Sequence, residues 1–288
     1  MTKSSNVTTI SSSAMLVDLS ISLWSGRKLD KKVSGDIDTI NSTTTKAGNY
    51  NKNLLAGDTS LSEIQKVVTM IRTYHNSVTI PWSNSGVRLL PTDLFLSYKK
   101  EIGRLEQVYQ DIVNAFLPAY AGKIEVAKVA LGDLFNRDEY PCEDEVRSKF
   151  QMSIKYLPVP EAGDFRVNIG AQGLKELQDQ YEENYAQNME SAMENVWDRL
   201  HAALEKMSYG LRTNPDGSPG RVFQSVFDNA TQLCSVLTAL NITNDTKMEA
   251  MRIKLEKTLR GVDAQDCKQN YKTRVDTRDA IDDLLSKF

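Results

Sequence analysis

Arg27, Lys28, Lys31 and Lys32 lie within six residues of one another, directly after Trp24 and Gly26. Basic side chains contact phosphates, a glycine lets another backbone approach closely, and an indole can stack on a base, so this run has the ingredients of a single-stranded nucleic-acid site. A plainer reading uses the same residues: Trp24 closes a small core and the cations sit solvated in a loop, since single-stranded binders usually interleave several aromatics. Both readings stay open.

Other residues capable of chemistry are dispersed. Gly170-Ala171-Gln172-Gly173 could present free amides at a helix start, but has neither the spacing of a dinucleotide loop nor that of a nucleoside-triphosphate loop. Neighbouring carboxylates such as Glu182 and Glu183, or Asp282 and Asp283, diverge by about 100° on a helix and do not converge on one substrate. The two histidines, His75 and His201, fall in helical patterns without a nucleophile motif. The expectation is therefore a non-enzymatic protein with no catalytic residues, no metal site and no cofactor. Cys142, Cys234 and Cys267 are far apart and odd in number, which indicates neither a disulfide framework nor a zinc site and fits a reducing compartment.

The strongest periodic signal runs from about Leu174 to Leu211. Leu177, Tyr181, Tyr185, Met189, Met193, Val196, Leu200, Leu204, Met207 and Leu211 recur every three or four residues, as on one face of a helix. Such a helix extends about 55 Å, longer than a small domain is wide, so part of it must project or be covered. Tyr181, Tyr185, Met189, Met193 and Trp197 form its adaptable face, available either to the chain's own core or to another copy, and are the expected partner or oligomer interface.

Around this helix, residues 1–14 read as a polar, disordered tail. Val17, Leu19, Ile21 and Leu23 alternate with polar residues as a strand. From Ser25 to Gly57 the chain reads as a long mobile loop containing at most a short helical piece. Ser60 to Glu63 has the capping-box pattern. Val78 to Leu90 reads as a hairpin whose Pro81 favours an edge. A helix follows Thr92 and Asp93, with Pro118 expected to kink or end it and a second segment running from about Ala119 to Phe135. Phe150–Tyr156 and Phe165–Ile169 read as two strands around a Pro and Gly turn. After the Asn214–Gly220 breaker come three helical patterns, Val222–Leu240, Met248–Val262 and Asp263–Phe288. The fold class is mostly α with a small antiparallel β-sheet, divided as a 1–14 tail, a 15–169 α+β domain, and 170–288 as long helix plus helical bundle.

A chain of 288 residues can bury a proper core. Its 35 Lys and Arg against 38 Asp and Glu leave a formal charge of -3, which supplies no global pull toward nucleic acid or an anionic membrane. No apolar run approaches the ~20 residues that cross a bilayer, and the first residues lack a signal-peptide core, so a soluble cytoplasmic protein without membrane contact is expected.

The Leu16–Lys28 segment, an alternating strand running into Trp24-Ser25-Gly26-Arg27-Lys28, resembles an uncharacterised domain-of-unknown-function family of bacteria and tailed phages. Phe150–Ile169 looks like a later part of the same family. Genes of that family often lie beside a MoxR-type AAA+ ATPase and a von Willebrand A domain protein, which implies a place in a multi-protein assembly and an AAA+ partner. The resemblance supplies no catalytic residues, and Ser25 to Gly57 has a Ser, Thr and Asn content of its own. The leading expectation is a phage or bacterial protein acting through protein contacts as an oligomer or accessory subunit. The alternative is a single-stranded nucleic-acid binding or annealing protein.

Overall fold

The computed structural model describes residues 10–83, 86–161 and 170–288; the expected strand Phe165–Ile169 and most of the expected tail lie outside them. In chain order the elements are α1 (Ile10–Ser13), β1 (Ala14–Ser22), β2 (Arg27–Leu29), α2 (Lys31–Ile40), β3 (Asn51–Asn53), α3 (Ser60–Val78), β4 (Ile80–Pro81), β5 (Arg88–Pro91), α4 (Phe95–Leu131), α5 (Glu143–Lys149), β6 (Gln151–Leu157), α6 (Gly170–Leu211), α7 (Gln224–Leu240), α8 (Thr246–Leu259), α9 (Ala264–Gln269) and α10 (Tyr271–Leu285). The mostly helical class with a small sheet is as expected. No helix among the described residues is long and apolar enough to cross a membrane.

The larger sheet has the order β4-β5-β1-β6, with β1 antiparallel to β5 through the pairs Ala14 with Pro91 and Val17 with Arg88. Pro81 lies in the edge strand β4, where its missing N–H breaks no ladder. Because β1 lies between two neighbours, Leu16 and Val17 are buried on opposite faces, and the clean alternation read from the sequence holds only for its far half.

The chain forms two compact units. One holds the described residues up to Asp18 with His75–Lys99 and Lys155–Phe288, and the other holds Leu19–Tyr74 and Lys100–Ile154. β1, α3, α4 and β6 each supply residues to both, so the units interleave along the chain and do not follow the division expected at 169/170.

The stretch read as a mobile loop, Ser25 to Gly57, is instead the antiparallel hairpin β2–β3 with α2 between its strands. α4 continues through Pro118 for 37 residues. A proline inside a helix costs about 3 kcal/mol. Phe116, Leu117, Tyr120 and Ile124 are all buried on either side of it, and burying each such side chain returns about 1.5–3 kcal/mol. The last helical pattern is also two helices, α9 and α10, split at Asn270, whose side chain accepts from the Thr273 amide while Asp263 and Asp266 form a capping box on α9.

In the first unit α6 runs 42 residues, and its fully buried positions begin only at Ala192. From there Val196, Leu200, Leu204 and Met207 pack with Phe227, Leu237, Met248, Leu255 and Ile281 of α7, α8 and α10. The same unit buries His75, whose Nδ1 is 2.8 Å from the Tyr98 hydroxyl. Burial, helped by the Arg88 charge, holds its pKa down at about 4 from 6.5. The unfolded chain therefore takes up this proton at a higher pH than the native state. His75 contributes its full stabilisation above pH ~6.5 and loses it as pH falls toward 4, by about 2 kcal/mol at pH 5. Urea titrations at pH 7 and pH 5 should show that loss, and His75→Phe should remove most of the pH difference; an unchanged pH difference in the variant would count against the assignment.

Candidate functional site

The second unit presents the hairpin β2–β3 and α2. Asp30 caps α2, its carboxylate accepting from the Val33 amide at 3.0 Å. The Ser34 hydroxyl donates to the Asp30 carbonyl and accepts from the Tyr50 amide, which fixes the helix on the hairpin. Beneath it Lys52 of β3, 3% exposed, lies 2.6 Å from Glu139 and 3.4 Å from Asp30 and donates to the Leu134 carbonyl at 2.7 Å. Burial alone would lower the Lys52 pKa; the hydrogen bond and charge of Glu139, then those of Asp30, outweigh it and raise it.

What this frame holds outward is unusual in composition. Ser34 is the one buried side chain of α2. Its apolar positions Val33, Ile37 and Ile40, spaced four and three apart, share one side of the helix, yet Ile37 is 44% and Ile40 80% exposed, and Leu29 of β2 is exposed too. Arg27, Lys28, Lys31 and Lys32 are all exposed, and among the described residues none joins an ion pair. The cations therefore separate by role: Lys52 holds the frame together, and the four sequence-predicted ones face water at the start of a helix whose amides already favour anions.

Trp24 is half-buried and meets Tyr120 edge-on at 5.5 Å. It lines a cavity of about 410 Å³ together with Arg27, Leu55, Leu61, Gln65 and Phe150. Of the five residues expected to bind nucleic acid, Trp24 and Arg27 share this wall, whereas Lys28, Lys31 and Lys32 lie outside it. Gly26 sits at φ +59°, and a Cβ there would fall 2.4 Å from Leu61 Cδ1, while its carbonyl accepts from the Leu54 amide. The glycine thus serves close packing against α3. Gly26→Ala should cost about 1–2 kcal/mol from backbone strain alone, read as a lowered urea midpoint; an unchanged midpoint would contradict this placement.

The chain matches no family model, no curated protein and no solved structure.

The adaptable face of α6 is largely engaged by its own unit. The Tyr181 hydroxyl donates to the Pro160 carbonyl, Tyr185 packs edge-on against Trp82 at 5.4 Å, and Met189 and Met193 pack half-buried on the core. Trp197 donates to Asp245 at 3.2 Å and meets the Phe288 ring edge-on. All five side chains are thus half-buried on their own unit, and the partners that cover them come from distant parts of the sequence.

Elsewhere, a cavity of about 340 Å³ between α7 and α8 is lined by Thr231, Cys234, Ser235, Arg252 and Glu256. Burial pushes the Cys234 thiol up to about 11, so it stays protonated at neutral pH, and Arg252 is held by Glu249 and Glu256. Arg88 and Arg199 both donate to the Thr79 carbonyl just beyond α3, completing a helix end. Among the described residues no group of three or more His, Cys, Asp or Glu is placed to hold a metal ion.

Proposed function

We propose that this is a non-enzymatic protein that acts through protein contacts, as an oligomer or accessory subunit, and that its contact surface is the α2 platform. The observation that carries this reading is a helix that buries one side chain, Ser34, while giving Ile37 and Ile40 to solvent, with four exposed cations at its start that join no ion pair among the described residues. Exposed apolar residues ringed by charge are the usual composition of a docking patch. A partner suited to it is an acidic segment with an apolar stripe, and the AAA+ ATPase implied by the sequence resemblance is one candidate for pull-down.

The test is lysine-reactive cross-linking in cells producing the protein. Lys31 and Lys32 should link to a second polypeptide chain, seen as a discrete larger band, several-fold above the exposed Lys257 on α8. Same-chain links alone at Lys31 and Lys32 would overturn the reading. The alternative of single-stranded nucleic-acid binding draws support from Trp24 and Arg27 sharing one cavity wall. It requires salt-sensitive retention in a gel shift, lost when Arg27, Lys28, Lys31 and Lys32 are replaced together.

A further inference from the structure

We infer that the α2 platform docks on the outer face of α6 in a second copy of this chain, an inference that rests on the reading of α2 as a contact surface and names its occupant. Glu176, Asp179, Glu183, Glu190, Glu194 and Asp198 are all exposed. At 100° per residue they fall within about 100° of arc on one side of α6, spread over about 33 Å of its length. The buried Val196, Leu200, Leu204 and Met207 centre about 110° further round the helix, so the helix is anchored through one flank and shows a carboxylate stripe on the adjoining one. No lysine or arginine shares the arc, and among the described residues none of the six carboxylates joins an ion pair.

The two surfaces match in charge and in size. Arg27, Lys28, Lys31 and Lys32 gather at the positive end of α2, where Asp30 is already engaged by Lys52. Asp38 is occupied by the Ala47 amide, and the exposed Asp36 is outnumbered by the four cations. The ten residues of α2 span about 15 Å, roughly half the acidic stripe. Opposed cations and carboxylates would fix orientation and speed encounter. Ile37 and Ile40 would rest on the aliphatic stems of Glu and Gln side chains in the arc. The contact joins two different surfaces, so copies associate head to tail.

The experiment uses the purified full chain. Its average mass should rise with concentration in the micromolar range at ~50 mM salt, and the self-affinity should fall at least about tenfold by ~300 mM. Reversal of the platform (Arg27→Glu, Lys28→Glu, Lys31→Glu, Lys32→Glu) should give a monomer, as should reversal of the stripe (Glu183→Lys, Glu190→Lys, Glu194→Lys), and mixing the two variants should restore a complex. Carbodiimide coupling in an equal mixture of ¹⁴N and ¹⁵N chains should join Lys31 or Lys32 to α6 carboxylates across the isotope boundary. A parent that stays monomeric at ~100 μM and low salt, or reversal variants that associate like the parent, would overturn the inference. Should a reversal variant fail to fold by circular dichroism, the salt series and the isotope cross-links on the parent decide. A monomeric parent whose Lys31 and Lys32 still cross-link to a different protein in cells would end self-docking and leave the contact reading standing; loss of both would end both.

Discussion

Arg274→Met is expected to lower the unfolding free energy by about 3–5 kcal/mol, the largest effect of any single substitution argued from this structure. Arg274 on α10 is buried at 4% exposure. Its Nε donates to the Leu211 carbonyl at 2.9 Å, and one terminal nitrogen donates to the carbonyls of Gly210, Arg212 and Gly220 at 2.8, 3.2 and 2.8 Å. The last carbonyls of a helix have no partner within it; here α6 ends inside the unit, and one guanidinium satisfies that end together with the loop folding back on it. Gly220 is needed for the approach, because a Cβ there would stand 2.9 Å from the carbonyl oxygens of both Gly210 and Arg212. Methionine fills similar space but takes the guanidinium donors from the Gly210, Leu211 and Gly220 carbonyls, while the Arg212 carbonyl keeps the Gly220 amide. Arg274→Lys should recover only part of the loss, since an ammonium lacks the planar fork. Urea unfolding followed by circular dichroism measures this, and a deficit below about 1 kcal/mol for Arg274→Met would contradict the role.

Arg274 also marks the limit of what the sequence discloses. The stripes of α6, α7 and α8 are legible because each helix buries one face, and burial of one face imposes a period of three to four on the residue types. A lone arginine in the charged Tyr271–Phe288 stretch carries no such signature; its partners lie more than fifty residues away, and only the fold brings them together. Pro118 misleads for a related reason: its local cost is visible in sequence, whereas the packing that offsets it is not. α2 is an intermediate case. Val33, Ile37 and Ile40 have helical spacing, but Ser34, Gly35 and Asp36 between them give the composition of a loop, and the helix is fixed by Asp30, Ser34 and Tyr50. The acidic stripe of α6 is present in the sequence as Glu176, Glu183 and Glu190, seven residues apart. Adjacent carboxylates such as Glu182 and Glu183 diverge by about 100°, whereas residues seven apart return to nearly the same side of the helix. The four cations were legible as a cluster. That Lys52 is buried while they are exposed is set by the Glu139 and Asp30 carboxylates that take its ammonium, since the β2–β3 register pairs Lys52 directly with Lys28.

Lys52→Met should therefore damage the site from below, with a loss of about 2–3 kcal/mol and without touching any exposed residue. The ammonium lies between Glu139 and Asp30 and also donates to the Leu134 carbonyl. Its removal strands two carboxylates that are themselves largely covered, with side-chain exposures of 19% and 14%. The Asp30 carboxyl is held below its usual pKa chiefly by the Val33 amide and, after the opposing effect of burial, by Lys52. A depressed carboxylate pKa contributes stability present above its unfolded value of 3.8 and lost as pH falls through the folded value. Losing Lys52 raises the folded value, so the variant's deficit relative to the parent should be full at pH 7 and narrow as pH falls toward 4. Adding Asp30→Asn and Glu139→Gln to Lys52→Met should recover part of the deficit at pH 7, because neutral amides are cheaper to leave without an ion partner than carboxylates are. Hydrogen exchange at the Val33 and Ser34 amides should accelerate in the single variant, since Asp30 both caps α2 and receives Lys52. If α2 is the docking surface, cross-links from Lys31 and Lys32 should fall with that loosening even though neither lysine has changed. Retention of full stability and slow exchange at Val33 would show instead that the Ser34 and Tyr50 bonds hold α2 without the buried ammonium.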